Sequence, residues 1–252
     1  MQLKDSVIII TGGGQGLGRS MGEFLAAKGA RLALVDLNQE ALDAAVDACK
    51  SAGGDARAYI CNVANEEQVV HMVAEVAEDF GAINGLINNA GILRDGLLLK
   101  VKDGVTQKMS LAQWQSVIDV NLTGVFLGTR EVAAKMVELG NQGLIINISS
   151  ISRAGNVGQS NYTAAKAGVA AMTVTWAKEL SRYGIRVAGI APGFIETEMT
   201  SSMKPEALEK MTSGIPLKRM GKPEEIAHSA AYLFENDYYS GRILELDGGL
   251  RI

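Results

Sequence analysis

The chain has 252 residues, 47% of them hydrophobic and 21% charged, with a net charge of -4. This suits one large α/β domain with a sizeable core and argues against disorder. It has no Lys/Arg-rich run, no apolar stretch of about 18 residues and no secretory pattern in its MQLKDSVIII start, so neither nucleic acid, nor a membrane, nor export is expected. Cys49 and Cys61 make neither a disulfide framework nor a metal motif and read as reduced thiols in a cytoplasmic protein. His71 and His228 lie far apart in helical patterns and read as surface or core residues, so no metal site is expected.

Val7 to Thr11 is a short β-branched run, read as a strand buried on both faces. TGGGQGLG (11–18) follows, then a helix to about Lys28 that Gly29 stops. Strands are expected over 31–35 and 56–62, with helices from the cap Asn38 through Cys49 and over 66–80. A fourth strand, 83–88, runs into NNAG (88–91). LLLKVKDGVTQKM alternates about Asp103-Gly104 and predicts a small protruding hairpin. Ser110 to Gln113 has the form of a capping box, opening a helix to about Leu139 that Gly140 ends. A strand over 143–149 carries SSIS at its end, and a helix containing Tyr162 runs to about Tyr183. A strand over 185–190 leads to APGFIETEM, helices are expected over 205–212 and 223–235, and a last strand spans 242–246. Strands alternating with helices predict βαβ units and a parallel sheet, in a single domain over 1–252.

In TGGGQGLG, Gly12, Gly16 and Gly18 stand between a strand and a helix, where backbone N–H groups and the helix dipole face a pyrophosphate. Gly18 lets helix and strand pack closely. Asp36 ends the second strand, where its carboxylate accepts from both adenosine ribose hydroxyls and repels a 2′-phosphate. Leu37 follows it and Gln15 occupies the loop, so no basic residue stands there for NADP(H), and NAD(H) is predicted; Arg19 is near but inside the helix. Tyr162 and Lys166, four apart on one helix face, share the same space, and the ammonium favours the ionised phenol. Tyr162 is therefore a candidate proton donor and acceptor.

With TGGGQGLG, Asp36, NNAG, Asn121 in NLTG, Ser149 in NISS, Tyr162 with Lys166 and the PG of APGFIET in place, the chain resembles the short-chain dehydrogenase/reductase family over nearly its whole length. The resemblance implies a Rossmann-type, doubly wound, seven-stranded parallel sheet with helices on both faces, and a homotetramer. It implies Tyr162 as general acid/base and Ser149, thirteen residues before it, as the donor polarising the substrate oxygen, with Ser150 structural. It implies that Lys166 binds the nicotinamide ribose and lowers the Tyr162 pKa, and that Asn121 holds a water in a proton relay. Around the cofactor it places Gly12, Gln15, Gly16, Leu17, Gly18, Asp36, Leu37, Asn89, Ala90, Gly91, Tyr162, Lys166, Pro192 and Gly193. Asn88 is implied to stabilise the sheet beside it, and Ile195 and Thr197 to bind the carboxamide. Asn62 and Val63 stand where the family often has Asp-Val against the adenine, a mild departure.

Within the family, NNAGILRD, NYTAAKAG, APGFIETEM and LDGGLRI resemble 3-oxoacyl-acyl-carrier-protein reductases. Gly140 and Tyr183 fall where such reductases often carry arginines for the acidic carrier protein, with Arg182 adjacent to the second, and the 92–110 segment is longer than the family norm. The implied activity is an NADH-linked reduction of a 3-oxoacyl thioester on acyl carrier protein or CoA. A catabolic secondary-alcohol or diketone enzyme is the alternative, and outside enzymes a non-catalytic dinucleotide-binding regulator.

Overall fold

A computed structural model describes residues 1–196, 206, 209 and 212–251. The apolar run Val7–Thr11 forms strand β1, which is buried throughout. Its side chains alternate between two layers. Ile8 and Ile10 pack with Met21 and Leu25 of helix α1 (Gly16–Ala27), Leu42 of α2 (Gln39–Ser51) and Phe234 of α7 (Pro223–Glu235). Val7 and Ile9 pack instead with Val73 and Val76 of α3 (Glu66–Phe80) and Met136 of α5 (Gly124–Glu138). A strand covered on both faces reads as continuous apolar sequence, because neither side chain parity meets water. Each such side chain contributes roughly 1.5–3 kcal/mol by leaving water.

The remaining strands are β2 (Arg31–Asp36), β3 (Asp55–Ile60), β4 (Gly85–Asn88), β7 (Gly143–Ile148), β8 (Ile185–Pro192) and β9 (Ile243–Leu246), beside the hairpin strands β5 (Leu99–Lys102) and β6 (Val105–Lys108). The main sheet has seven strands in the order β3-β2-β1-β4-β7-β8-β9, with every neighbouring pair parallel. The chain winds outward from β1 to β3, then restarts on the other side of β1 with β4. The loops after β1 and β4 therefore diverge and leave a crevice at the strands' C-terminal ends.

The hairpin forms as expected. Asp103 and Gly104 both take positive φ (51° and 76°), and Lys102 pairs with Val105. Two such residues make the two-residue turn whose twist matches an antiparallel pair. The helix expected from Ser110 to Leu139 is interrupted: α4 (Leu111–Ile118) passes through a π-helical turn, Asp119–Thr123, before α5. Ser110 caps α4 by accepting from Gln113 N (3.1 Å), but the Gln113 amide reaches the Arg94 and Asp95 carbonyls instead of closing a capping box. A 3₁₀ turn, Ile151–Ala154, follows β7 unforeseen, and α6 (Ser160–Glu179) ends sooner than expected, giving way to another such turn before Gly184. The helix expected over 205–212 falls mostly outside the described residues.

A buried polar chain ties sheet to helices. Asn88 Nδ2 donates to Thr129 Oγ1 (3.0 Å) and Asn147 Oδ1 (2.8 Å), and Asn147 Nδ2 donates to Thr173 Oγ1 (2.9 Å). Among the described residues no buried side-chain nitrogen or oxygen lacks a partner. A fully satisfied network of this kind specifies one register between elements. Here it sets the ends of β4 and β7 against α6.

Candidate functional site

The crevice between the β1 and β4 loops is a cleft of about 360 Å³. Gly12, Gln15, Leu17, Asp36, Leu37, Asn62, Val63, Asn89, Ala90 and Gly91 line it, all of them expected, together with Val35, Cys61, Ile92 and Val120. Each of these additional four is a chain neighbour of an expected residue; strand-end and loop spacing marks the place but not every side chain that walls it. Gly16 and Gly18 shape the cleft without lining it. A Cβ on Gly18 would lie 2.0 Å from the Gly12 carbonyl oxygen, so only glycine lets α1 start against the β1 turn. Asn89 latches the two loops by donating to the Thr11 and Gly12 carbonyls (3.0 and 3.1 Å). Gln15 makes no side-chain cap to α1, and the first turn carries no acid. That leaves its N–H groups and dipole for an anion.

Asp36 is held at the cleft's far end, accepting from Leu37 N (2.7 Å) and Gly14 N (3.2 Å). No lysine or arginine is among the lining residues. Arg19 is engaged with Glu23 one turn on (2.7 Å). These donors and this carboxylate fit a dinucleotide.

Tyr162 and Lys166 stand on α6, outside the residues that line the cleft. Tyr162 is half-buried, and Lys166 lies beneath it, its Nζ 5.7 Å from the ring centroid. Two expectations are corrected here. The first concerns the serine. Ser149 is buried and its hydroxyl donates to the Lys166 carbonyl (2.9 Å), whereas Ser150 stands beside the Tyr162 phenol, close enough to lower its pKa. The reason is local: Ser149 follows β7 and its hydroxyl reaches the Lys166 carbonyl on α6, while Ser150 is the N-cap of the 3₁₀ turn. Ser150 Oγ accepts from Ser152 N (3.1 Å), which leaves its proton to donate. The second concerns acidity. Burial pushes the Tyr162 phenol up, with Ser150 pulling it partly back and Asp95 adding to the rise. Lys166 exerts no resolved pull: its ammonium is buried, donates to the Ile148 carbonyl (2.7 Å), and is itself pushed down to about 8 by burial.

Asn121 sits in the π-helical turn, buried. Its side chain accepts from Ile92 N (2.8 Å) and donates to Ile92 O (3.0 Å), splinting that turn to the cleft wall. Pro192 and Gly193 close β8, and Gly193 N donates to Leu246 O (2.8 Å). Ile195 buries its side chain in the core and bridges to Gly221, which leaves its own N–H and C=O facing away from that ladder. Thr197 lies outside the described residues.

Known proteins match this arrangement over the whole chain. Residues 12–251 match the family described as Enoyl-(Acyl carrier protein) reductase. A 3-oxoacyl-[acyl-carrier-protein] reductase of Thermotoga maritima is 42% identical, covering 100% of both chains. An acetoacetyl-CoA reductase of Synechocystis is 38% identical over 98% of this chain and 96% of its own. The crystal structure of levodione reductase superposes with a TM-score of 0.88 at 38% identity, covering 98% and 97% of the two chains. The chain belongs to the short-chain dehydrogenase/reductase family, whose members act on hydroxyl and keto groups with a nicotinamide dinucleotide.

Proposed function

We propose that this protein is an NAD(H)-dependent reductase of 3-oxoacyl thioesters, acting in the cytoplasm as a homotetramer. The observation that carries the reaction is the grouping of Tyr162 with Ser150 beside its phenol and Lys166 Nζ 5.7 Å from the centroid of its ring. Gly12 to Gly18, Asp36, Asn62, Val63 and Asn89 to Gly91 would hold the dinucleotide, which supplies the hydride when bound. The Tyr162 hydroxyl gives its proton to the substrate oxygen, and the Ser150 hydroxyl donates to the same oxygen as negative charge grows there. A phenol held above its ordinary range stays protonated at neutral pH, which suits the reductive direction. Lys166 would hold the nicotinamide ribose hydroxyls, and its position close to its own titration point lets it pass a proton. Asn121, fixed by its two bonds to Ile92, would hold the water that links Lys166 to solvent.

NAD(H) is favoured by the Asp36 carboxylate and the cation-free lining. The thioester is favoured by the two reductase relatives. A second reading, a dehydrogenase or reductase of a small diketone or secondary alcohol, is favoured by the likeness to levodione reductase. Initial rates with acetoacetyl carrier protein, acetoacetyl-CoA and small diketones, each with NADH and NADPH, separate the readings. The thioester reading expects the highest kcat/KM with an acetoacetyl thioester and NADH. Faster diketone turnover, or NADPH preference, would refute its substrate or its cofactor half. Binding of dinucleotide with no turnover of any ketone would leave a non-catalytic role.

A further inference from the structure

The β5–β6 hairpin is the one two-stranded sheet among the described residues, and all eight of its strand residues are exposed. An isolated hairpin is marginal in water without a third strand or a helix against it. Directly opposed residues share a face, so Leu99 and Val101 lie with Thr106 and Lys108, and Lys100 and Lys102 with Gln107 and Val105. Leu97 and Leu98 extend the apolar surface toward the root and are also exposed. Lys100, Lys102 and Lys108 stand against Asp103 alone, a cationic projection on a chain of net charge -4.

The root is fastened to the catalytic helix. Gly96 N donates to Gly158 O (2.7 Å), Gln159 Nε2 to Asp95 Oδ2 (2.9 Å), and Asn161 Nδ2 to Arg94 O (3.1 Å), immediately before Tyr162. The same segment begins at Ile92, which walls the cleft. Whatever sits on this hairpin is therefore held at the mouth of the site. A small substrate needs no such projection. A substrate tethered to a macromolecule does, because the carrier stays outside while its arm enters.

On the thioester reading above, we propose that the hairpin is the docking surface for an acidic acyl carrier protein, with Lys100 and Lys102 meeting its carboxylates and Val105, on the same face, meeting an apolar side chain. Charge of this kind steers encounter and sets register more than it adds affinity. The effect therefore appears in kcat/KM for the carrier-bound substrate and depends on salt.

The test compares acetoacetyl carrier protein, acetoacetyl-CoA and acetoacetyl-N-acetylcysteamine as substrates of the wild type, the Lys100→Glu/Lys102→Glu variant and Val105→Ser. Gel filtration and the fluorescence of bound NADH check assembly and cofactor binding. The docking role expects kcat/KM for the carrier substrate to fall roughly tenfold in the charge-reversed variant, with its salt dependence reversed, and to fall in Val105→Ser as well. The small thioester keeps its kcat and KM in both. An unchanged carrier rate overturns the inference, and so does an equal loss with the small thioester. An equal loss with CoA would mean that the lysines read pantetheine phosphates, and a changed oligomer size that the hairpin joins copies of this chain; either overturns it too. If the wild type reduces the small thioester but not the carrier-bound one, docking fails and thioester reduction stands. If it reduces no thioester, both fail.

Discussion

Replacing the two adjacent serines separately gives opposite outcomes. Ser150 Oγ accepts from Ser152 N at 3.1 Å and stands beside the Tyr162 phenol, so its proton is left to donate to an oxygen bound there. Ser150→Ala removes one of two donors to the growing oxyanion. Loss of such a donor typically costs about 10²–10³ in kcat, or roughly 3–4 kcal/mol of transition-state stabilisation. Ser149→Ala removes instead a bond to a helix carbonyl, that of Lys166 at 2.9 Å. Its expected cost is about 1 kcal/mol of stability, a fall in Tm of roughly 2–4 °C for a protein of this size, with kcat within a few-fold of wild type. Steady-state ketone reduction at saturating NADH, with thermal melts of each variant, reads both quantities. If Ser149→Ala lost the catalytic decades and Ser150→Ala kept its rate, the assignment of the two hydroxyls from this geometry would be wrong.

Burial holds Lys166 near 8 against an ordinary value of 10.5. Between these the unfolded chain binds more protons, so this group adds nothing to the pH slope below about 8 and makes stability rise above it, by up to roughly 3 kcal/mol at pH 10. Cys49 and Cys61, raised from 9.0 to about 12 and about 11 by burial, pull the other way above pH 9. The readout is therefore the difference between wild type and Lys166→Met in urea midpoints from pH 7 to 10; a difference flat in pH would contradict the buried ammonium. Asp36→Asn keeps an acceptor for the backbone but drops the charge, and the NADPH/NADH ratio of kcat/KM is expected to rise roughly tenfold. A ratio left where it was would free Asp36 of its role in cofactor choice. Arg153 donates to the Ser150 carbonyl (3.1 Å) and pairs with Glu245 on β9. Arg153→Met should lower kcat several-fold with KM nearly unchanged, Arg153→Lys should recover part of it, and the melt should move little because the pair is near the surface. Loss of stability in step with kcat would make the arginine merely structural.

What the sequence makes legible is whatever is decided within a few residues. Gly12, Gly16 and Gly18 between a strand and a helix, Asp36 at a strand end, and Tyr162 with Lys166 on one helix face are all local patterns; Gly12 and Asp36 line one cleft, and Lys166 Nζ lies 5.7 Å from the centroid of the Tyr162 ring. The parallel sheet follows as directly, because Val7 to Ile10 is apolar at both parities, as a strand covered on both faces requires. The Asp103-Gly104 hairpin is legible for the same reason: a two-residue turn states its own backbone.

Illegible features depend on where a side chain points after an element ends. Counting thirteen residues back from Tyr162 lands on Ser149, but the count assumes a loop of standard shape. Here a 3₁₀ turn capped by Ser150 starts directly after β7, and that cap decides which hydroxyl meets the phenol. Nothing in SSIS distinguishes a strand-end serine from a cap serine, since both favour the same sequence neighbours. The π-helical turn at Asp119–Thr123 is hidden likewise, because the pattern around Trp114 to Phe126 reads as an ordinary helix. The side chain of Asn121 shows how it is held: its amide takes both backbone groups of Ile92, a residue 29 positions earlier on the far wall. A distortion held by so distant a partner leaves no periodicity to find. The acidity of Tyr162 fails for a related reason. Spacing places an ammonium below the phenol, but the ammonium turns to the Ile148 carbonyl, and the phenol, desolvated by burial, keeps its proton. Proximity on one helix face is a statement about Cα positions, whereas electrostatic coupling is a statement about where the charge ends up.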